Sequence, residues 1–385
     1  MRSYPRPVRL LLPDDDFTAV LAAVRALRKG GYEPWLAMSV PSAYAARSRA
    51  IAGTLPVPDA GPDPEGFVAA LAEAARRLHV AAVLPGTETS LSVLAGREAD
   101  FPEGVVLGVP PRDIVERAVD KGLLSELAAQ AGLLVPETQP VGRADLDGIA
   151  YPAVVKPVTS SVRVEDNRLR LGIVRKIDTP AELRAALEWM PGDTLLVQPF
   201  LAGSLSAACG VFWEGKLLCV EHQTARRIWP PDCGVSSYAE TVPPDRALEE
   251  KIAALLGTIG WSGLFELQFI RRPEGDYVID LNTRFYGSLA LAVRSGLNLP
   301  VIWVDLLLGR TPRIGEYRVG ARYRSEQRDA RAIVHAFRSG RRGEAVRAAL
   351  PRRRTVHAIF SARDPLPFVC KLTGLKAEPA ALPDG

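Results

Sequence analysis

The feature that most constrains this chain is a predicted β-hairpin over residues 263–287. Two runs rich in aromatic and β-branched residues, 263–271 and 276–283, flank a turn-forming segment around Glu274. Folding about Glu274 places Glu266 opposite Asn282 and Gln268 opposite Asp280, because side chains alternate along a strand. The same alternation sends the apolar residues to the other face, which we predict to be core: Phe265, Leu267, Phe269, Tyr277, Ile279 and Leu281.

The polar face of this hairpin carries carboxylate and amide oxygens. Two carboxylates and an amide at cross-strand distance repel one another unless a cation lies between them. Hard oxygen ligands of this kind suit magnesium that holds nucleotide phosphates. Arg284, two residues past Asn282, adds a fixed positive charge. The alternative is a hairpin whose polar face is simply solvated, as in many antiparallel sheets.

The composition is that of an ordinary globular protein. The length of 385 residues favours two to three packed units, and 47% of the residues are apolar and 24% charged. The four cysteines form no C-x-x-C pair, which disfavours a disulfide scaffold or a metal-thiolate site. We therefore expect reduced cysteines and a cytoplasmic location. The amino-terminal apolar run is too short for a signal peptide, so neither export nor membrane spanning is expected.

The first part of the chain alternates strands with helices. Strands are predicted near 7–12, 33–38 and 80–85, and helices near 16–29 and 64–78, a pattern typical of a parallel α/β layer. No G-x-G-x-x-G follows the first strand, so a dinucleotide fingerprint is absent. Glu88 follows the strand at 80–85, at the sheet edge where ligands bind. It is a candidate substrate contact, with a helix-capping acid as the alternative.

The middle of the chain offers two lysines with possible partners. Lys121 begins the second helix of a pair over 113–132, and Lys156 ends a strand before Pro157. Lys121 after Asp120 is by itself an ordinary helix start, whereas Lys156 at the end of a buried strand either extends to solvent or meets an anion. A mobile loop is predicted at 159–168. It is followed by a strand at 170–176, a helix at 180–190 and a strand at 195–201 that runs into a hinge at Pro199.

A long irregular segment precedes the hairpin. Strands are predicted at 205–213 and 216–223, and the Gly/Pro-interrupted stretch 226–237 is predicted to be a functional loop. Arg226 and Arg227 in it are candidate anion ligands, with plain surface arginines as the alternative. The remaining predicted elements are a strand at 238–242 and helices at 245–259, 288–295 and near 300–308.

Several of these segments match one family when they are taken in order. They are V-D-K at 119–121, P-A-V-V-K-P at 152–157, V-Q-P-F-L-A-G at 197–203, L-F-E-L-Q-F at 264–269 and I-D-L-N-T-R-F-Y-G-S at 279–288. The chain thereby resembles ATP-grasp ligases of the carbamoyl-phosphate-synthetase-like and biotin-carboxylase-like branch, of the carboxylate-amine ligase type.

The resemblance implies an α/β (α+β) ATP-grasp fold in four parts. These are an amino-terminal parallel-sheet domain over 1–112, linker helices and a lid subdomain over 113–198, an antiparallel catalytic subdomain over 199–310, and a basic, mainly helical extension over 311–385.

The resemblance also implies roles for individual residues, with ATP and magnesium as cofactors. Lys121 and Lys156 would hold phosphates together with the loop residues Ser160 and Ser161. Gln198, Pro199, Phe200 and Leu201 would frame the adenine, and Ser204 stands where a ribose-binding acid is common. Two Mg²⁺ ions, or Mn²⁺, would be held by Glu266, Asp280 and Asn282, and Arg284 would steady the substrate carboxylate and the acyl phosphate. Candidate substrate contacts are Glu88, Arg226, Arg227 and Arg284.

Three departures from the family pattern stand out. Asp280 replaces the usual glutamate, the loop 159–168 lacks the usual glycines, and Ser204 replaces the ribose-binding acid.

The implied activity joins a carboxylate to an amine. ATP would activate the carboxylate as an acyl phosphate, and the amine would displace phosphate to form an amide. The alternatives are activation of bicarbonate or another acid for carboxylation, and a nucleotide-binding module without turnover. The expected partners are small-molecule carboxylate and amine substrates, with no membrane and a monomer or homodimer. The identity of the substrates stays open.

Residues 310–354 form a strongly basic segment. They contain fourteen Arg, no Lys and four acids. Ala330, Ile333, Val334 and Phe337 recur at helical spacing, so we predict a solvated amphipathic helix. A nucleic-acid arm is the disfavoured alternative. The motif A-R-D-P-L-P-F at 362–368 resembles a carboxy-terminal signature to which no role is assigned.

Overall fold

The computed structural model describes residues 7–14, 18–39, 44–142, 148–163 and 169–374, and it confirms the predicted α/β fold. The amino-terminal part is a five-stranded parallel sheet in the order β3-β2-β1-β4-β5. Its strands are β1 (Arg9–Leu12), β2 (Glu33–Met38), β3 (Gly53–Pro56), β4 (Ala82–Val83) and β5 (Val106–Leu107). Its α-helices are α1 (Thr18–Lys29), α2 (Pro64–Leu78) and α3 (Glu88–Leu94), with short 3-10 helices at Tyr44–Arg47 and Glu98–Asp100.

A helical linker connects this sheet to a small lid. The linker consists of α4 (Arg112–Val119) and α5 (Lys121–Gln130), as predicted. The lid sheet is antiparallel in the order β10-β7-β11-β6, and a separate two-stranded sheet pairs β8 with β9. The lid elements are β6 (Gln139–Gly142), β7 (Ala153–Pro157), β8 (Ser161–Arg163), β9 (Leu169–Leu171), β10 (Arg175–Ile177), α6 (Pro180–Trp189) and β11 (Thr194–Pro199).

The largest unit is a seven-stranded sheet in the order β16-β15-β12-β13-β14-β17-β18. Its first four strands are β12 (Ser204–Trp213), β13 (Lys216–Trp229), β14 (Val235–Val242) and β15 (Gly263–Arg272), and the others are β16 (Gly275–Asn282), β17 (Arg322–Arg324) and β18 (Thr355–His357). Its helices are α7 (Arg246–Ile259), α8 (Leu289–Ser295), α9 (Leu299–Leu307), α10 (Glu326–Arg338), α11 (Arg342–Ala349) and α12 (Leu366–Thr373). The predicted antiparallel character is confirmed, except that β17 and β18 are parallel.

The lid differs from its predicted form at two places. The predicted strand at 170–176 is divided between β9 and β10. Strand β9 pairs with β8, and β8 lies inside the segment 159–168 that was predicted to be a mobile loop. The rest of that loop, 164–168, lies outside the described residues. The start of the loop is therefore part of a small hairpin.

The basic segment is helical but is joined to the large sheet. The predicted helix is α10, yet Val334 is 47% exposed and Phe337 52% exposed, while Asp329 is buried. Flanking strands β17 and β18 extend the large sheet, so the carboxy-terminal region is more than the helical extension that we predicted. Part of its positive charge is neutralised inside the fold, because Asp329 pairs with Arg324 of the same segment. Asp329 also pairs with Arg227 on β13.

Within the described chain, no single helix has the length and apolar character of a membrane span. Helices α8 and α9 pass such a test only together, across a 94° bend. The four cysteines are free thiols in this structure.

The motif at 362–368 attaches the end of the chain to the first domain. The Asp364 carboxylate accepts a hydrogen bond from Arg25 Nε at 2.9 Å, from Ser48 Oγ at 2.6 Å and from the Arg49 backbone N–H at 3.0 Å. Arg25 also donates to the Ile359 carbonyl at 2.8 Å. Asp364 is 7% exposed, and its partners keep its pKa lowered although burial opposes this shift. The motif therefore has a structural role.

We expect Asp364→Ala to lower the free energy of unfolding by roughly 3 kcal/mol, because it removes a buried carboxylate and leaves the half-buried Arg25 guanidinium and the Ser48 hydroxyl without this partner. Urea titration of the full-length protein measures this change. The control is Glu73→Ala, which removes an exposed ion pair with Arg76 on one helix and should cost less than about 0.5 kcal/mol. Equal effects in the two variants would contradict the anchoring role.

Candidate active site

A cavity of about 470 Å³ lies between the lid sheet and the large sheet. The lining includes the hinge that follows β11, the two lysines and, from the hairpin β15–β16, Gln268, Ile270, Ile279 and Asp280. The predicted site residues Glu266, Asn282 and Arg284 do not line it. Predicted site residues that line it are Lys121, Lys156, Gln198, Phe200, Leu201 and Asp280. This set brings together residues that are up to 159 positions apart in the chain.

Lys121 is held at the start of a helix and meets a carboxylate. Asp120 caps α5 by accepting the Gly122 and Leu123 N–H groups, and the Lys121 N–H donates to the Val158 carbonyl at 2.9 Å. The buried Lys121 ammonium pairs with the Asp280 carboxylate. Burial opposes ionisation of both groups, but each charge stabilises the other, so the pKa of Lys121 is raised and that of Asp280 is lowered.

Lys156 lies beside this pair and is poorly compensated. It is 4% exposed at the end of β7, and its Nζ donates to the Ile279 carbonyl at 3.1 Å. Burial, together with the nearby Lys121 charge, lowers the pKa of Lys156 to about 8. Two buried ammonium groups with one carboxylate between them make this end of the cavity suitable for a polyanion.

Glu266 is the centre of the polar face of the hairpin. Its Oε2 accepts hydrogen bonds from Asn282 Nδ2 at 2.8 Å and from Gln268 Nε2 at 3.0 Å. The register confirms the predicted pairs Glu266 with Asn282 and Gln268 with Asp280. Burial raises the pKa of Glu266 to about 7, although the Arg284 charge opposes the shift. This carboxylate is thus desolvated and bonded mainly to neutral donors.

The half of the hairpin next to its turn, residues 269–279, does not follow the predicted alternation. A register shift after Gln268 places Phe269 opposite Val278, so Val278 is the buried residue at 2% exposure. The predictions that Tyr277 and Ile279 face the core are therefore wrong. Ile279 instead lines the cavity, and its carbonyl binds Lys156. The physical reason is a β-bulge, which moves one residue out of the alternating pattern.

The donor set around Glu266 fits a hard cation. Glu266 and Asp280 supply carboxylate oxygens, and Asn282 supplies an amide oxygen, which are ligands that a hard cation prefers. The desolvated Glu266 carboxylate accepts hydrogen bonds from the neutral side chains of Gln268 and Asn282. In the parts of the chain that the structure describes, no group of three or more His, Cys, Asp and Glu side chains could hold a metal ion. A magnesium ion here would therefore depend on the amide and on ligands from a bound phosphate. It would also share Asp280 with Lys121.

The hinge residues Gln198, Phe200 and Leu201 line the cavity, so their backbone is a candidate contact for a nucleobase. Gln198 is buried and accepts from Thr138 Oγ1 at 3.4 Å, and the Phe200 ring lies 5.0 Å from Lys176 Nζ. The Phe200 N–H already donates to the Pro152 carbonyl at 3.0 Å. Hydrogen bonds to a base would therefore come from the Leu201 N–H or from carbonyl groups of the hinge. Ser204 is exposed beside this region, where β12 begins.

The predicted loop residues Ser160 and Ser161 lie apart from the cavity lining. Their backbone N–H groups donate to the carboxylate of Glu88, at 2.7 and 3.1 Å. Glu88 is the first residue of α3, so it is both an acid at a helix start and a contact to the lid. The negative charge of Glu88 contributes to raising the pKa of Lys121.

The prediction of a long loop at 226–237 is wrong. Strand β13 continues to Trp229, and β14 begins at Val235. Arg226 pairs with Glu240, and Arg227 donates to the Asp329 carboxylate at 2.7 Å. Both arginines are thus engaged in ion pairs of the large sheet and do not line the cavity, so the structure gives them no place as anion ligands.

Several cavity residues are absent from the sequence-based set. Three of them belong to the turn between β13 and β14: Asp232, Cys233 and Gly234. The others are apolar residues in or next to the strands: Val154, Val174, Leu205, Ile228, Val235 and Ile270. The Gly/Pro-rich composition of 226–237 signals the importance of this turn, although the lining residues are not its arginines. The apolar residues carry no signal apart from their strand pattern.

A second buried carboxylate lies two strands from Glu266. Glu221 on β13 and Glu266 on β15 both pair with Cys209 on β12. Glu221 is fully buried and accepts from Ser295 Oγ at 2.5 Å. Burial raises its pKa from the ordinary value of 4.5 to about 8.

The raised pKa of Glu221 predicts a pH-dependent stability. The unfolded chain releases this proton near pH 4.5 and the folded chain only near pH 8, so stability is lost as pH rises through this window. Glu221→Gln cannot ionise, and we expect its stability relative to the wild type to increase by roughly 4 kcal/mol from pH 4 to pH 9. Urea titrations at both pH values measure this difference. A constant difference between the two proteins would contradict the burial of an ionisable Glu221.

Comparisons with known proteins agree with this geometry. Residues 193–328 match a family model described as ATP-grasp in the biosynthetic pathway with Ter operon. No curated protein sequence matches the chain.

Solved structures match most of the chain at low sequence identity. An L-amino acid ligase from Bacillus licheniformis is 16% identical with a TM-score of 0.62, over 83% of this chain and 79% of the other. The biotin carboxylase domain of a 2-oxoglutarate carboxylase from Hydrogenobacter thermophilus, solved with MgADP, ADP and bicarbonate, is 14% identical with a TM-score of 0.60, over 81% and 73%. An N5-carboxyaminoimidazole ribonucleotide synthetase from Thermus thermophilus is 17% identical with a TM-score of 0.57, over 82% and 81%.

The family model includes β11 and the hairpin β15–β16, and the matched structures cover about four fifths of this chain. The predicted resemblance is confirmed: this chain has the ATP-grasp fold, in the arrangement that it shares with biotin carboxylase.

Proposed function

We propose that the protein is an ATP-dependent ligase that activates a carboxylate as an acyl phosphate and couples it to an amine. The observation that carries the proposal is one cavity lined by Lys121, Lys156 and Asp280 together with the hinge residues. Glu266 and Asn282 lie behind this lining, joined to it by the hydrogen bond between Gln268 and Glu266. The size of the cavity, about 470 Å³, suits a nucleotide. The matched ligase and carboxylase structures support the same class of chemistry.

The reaction needs no nucleophilic side chain. The substrate carboxylate attacks the γ-phosphorus of ATP, the bond to the β-phosphate oxygen breaks, and ADP leaves. The amine then attacks the acyl carbon, phosphate leaves, and the amine gives up a proton to solvent. Bound magnesium would supply charge neutralisation at the β- and γ-phosphates.

The side chains of this protein act by position and charge. Lys121 and Lys156 bind the phosphates, while Glu266, Asp280 and Asn282 provide the oxygen ligands for magnesium. Arg284 contributes its charge at the same place, where it acts on Glu266, Asp280 and Lys121. Fixed charges in a water-poor cavity stabilise the transferring phosphoryl group more than they would in water.

The test is a screen of ADP release by the full-length protein. Pools of carboxylic acids and amines are supplied with ATP and Mg²⁺, with Mn²⁺ in a parallel series, and the products are identified by mass spectrometry. We expect ADP release that requires both an acid and an amine and that stops when a chelator is added. Release that requires bicarbonate, with no amine, would favour a carboxylase instead. Nucleotide binding without release in any pool would favour a binding module.

A further inference from the structure

Glu88 follows a turn that is fixed by the half-buried carboxylate of Asp14. Asp14, just after β1, accepts the Gly86 N–H at 2.8 Å, the Thr87 N–H at 3.0 Å and the Ser90 hydroxyl at 2.5 Å. Thr87 caps α3 with its side chain, so Glu88 is the first helical residue. These bonds hold the backbone of Glu88 in one place on the amino-terminal sheet.

From this place Glu88 reaches across to the lid. Its Oε1 accepts the N–H groups of Ser160 and Ser161, and its side chain is buried at 7% exposure. Thr89 Oγ1 and Ser161 Oγ also share a hydrogen bond of 2.7 Å. The Leu169 N–H donates to the Gly61 carbonyl at 2.9 Å. The β8–β9 hairpin is therefore docked on the amino-terminal sheet by several contacts.

Two consecutive backbone N–H groups that converge on one anionic oxygen bind phosphate oxygens in the same way. The Lys121 N–H donates to the Val158 carbonyl, so Ser160 and Ser161 follow directly on a segment bonded to the lysine that we propose to bind the phosphates. The Glu88 carboxylate also lies near Lys121. A carboxylate at this position takes two of the donors that a phosphate would use and adds a negative charge beside them.

We propose that Glu88 competes with the phosphates of a bound nucleotide for the N–H groups of Ser160 and Ser161, and so sets the affinity for the triphosphate. Nucleotide binding would release the β8–β9 hairpin from Glu88, whereas a nucleoside without phosphates would leave the contact intact. The inference rests on the proposed function, since it requires a nucleotide in the cavity.

Calorimetry on the full-length protein tests the competition. If Glu88 occupies the donors in about 90% of molecules, its removal should tighten binding about tenfold. Glu88→Ala should therefore bind the magnesium complex of the non-hydrolysable analogue AMP-PNP about tenfold more tightly than the wild type, with adenosine affinity unchanged. The matched control is Thr89→Val, which removes the hydroxyl contact to Ser161 and leaves Glu88 in place. We expect both of its affinities to stay within about twofold of the wild-type values.

Hydrogen exchange gives an independent readout. The amides of Ser160 and Ser161 should exchange faster in Glu88→Ala without ligand, and AMP-PNP should protect them again. If Glu88→Ala fails to fold, Glu88→Gln keeps an acceptor without the charge and should show a smaller tightening of the same sign. Equal or weaker AMP-PNP binding in the folded variant would overturn the proposal. Absence of nucleotide binding by the wild type would instead contradict the proposed function.

Discussion

Glu266→Gln is expected to lower substrate-dependent ADP release at least about 100-fold, because it removes the charge of the carboxylate that we propose as the central magnesium ligand. Glutamine keeps the size of the side chain and one oxygen acceptor for Asn282 and Gln268. A neutral side chain also relieves the cost of burying a charge, so the variant should fold at least as stably as the wild type. A coupled ADP assay at saturating Mg²⁺ and a urea titration measure the two effects.

The matched control for this variant is Glu221→Gln. It makes the same chemical change at a buried carboxylate of the same sheet, two strands away, where Glu221 accepts a hydrogen bond from Ser295. Its ADP release should stay within about threefold of the wild type, since it touches no group assigned to ATP or metal. Near-normal turnover of Glu266→Gln, or an equal loss in both variants, would contradict the metal role of Glu266.

The half of the hairpin away from its turn could be predicted from the sequence, because local alternation determines it. Glu266, Gln268, Asp280 and Asn282 lie within one pair of strands, and their register follows from the turn. The half next to the turn depends on a distant segment. The Val278 N–H donates to the carbonyl of Leu134, in the linker that follows α5, and no local pattern contains this contact. The β-bulge and the misassigned Tyr277 and Ile279 belong to this non-local part.

The order of the motifs identifies Lys121 and Asp280, but it does not reveal that they form a pair. Their ion pair joins residues 159 positions apart and exists because the start of α5 packs against β16. The aspartate at this position is one methylene shorter than the glutamate usual in the family. In the structure it neutralises a lysine, so the sequence could indicate its chemistry but not its partner.

The arginines of β13 show a different limit. Pro230, Pro231 and Gly234 make the stretch 226–237 look irregular, yet they occupy only the turn between two long strands. Arg227 is extended and half-buried because Asp329, about a hundred residues later, supplies its counter-charge from α10. A pairing of this kind could have been found only from the tertiary fold.

Arg284→Ala is expected to reduce turnover about 100-fold or more while nucleotide affinity changes less than about threefold, because we propose that its charge acts where the carboxylate becomes an acyl phosphate. Arg284 donates to the Phe285 carbonyl at 3.0 Å, which fixes its side chain just after the hairpin β15–β16. Arg284→Lys keeps the charge but loses the planar donor geometry, so it should recover part of the activity.

The control for Arg284 is Arg294→Ala, at an exposed position near the end of α8 that lines no part of the cavity. Steady-state kinetics of ADP release and calorimetry with AMP-PNP separate the two effects for each variant. We expect Arg294→Ala to match the wild type in both measurements. If Arg284→Ala loses nucleotide affinity and turnover to the same extent, its role is in nucleotide binding, and the assignment to the acyl-phosphate step is wrong.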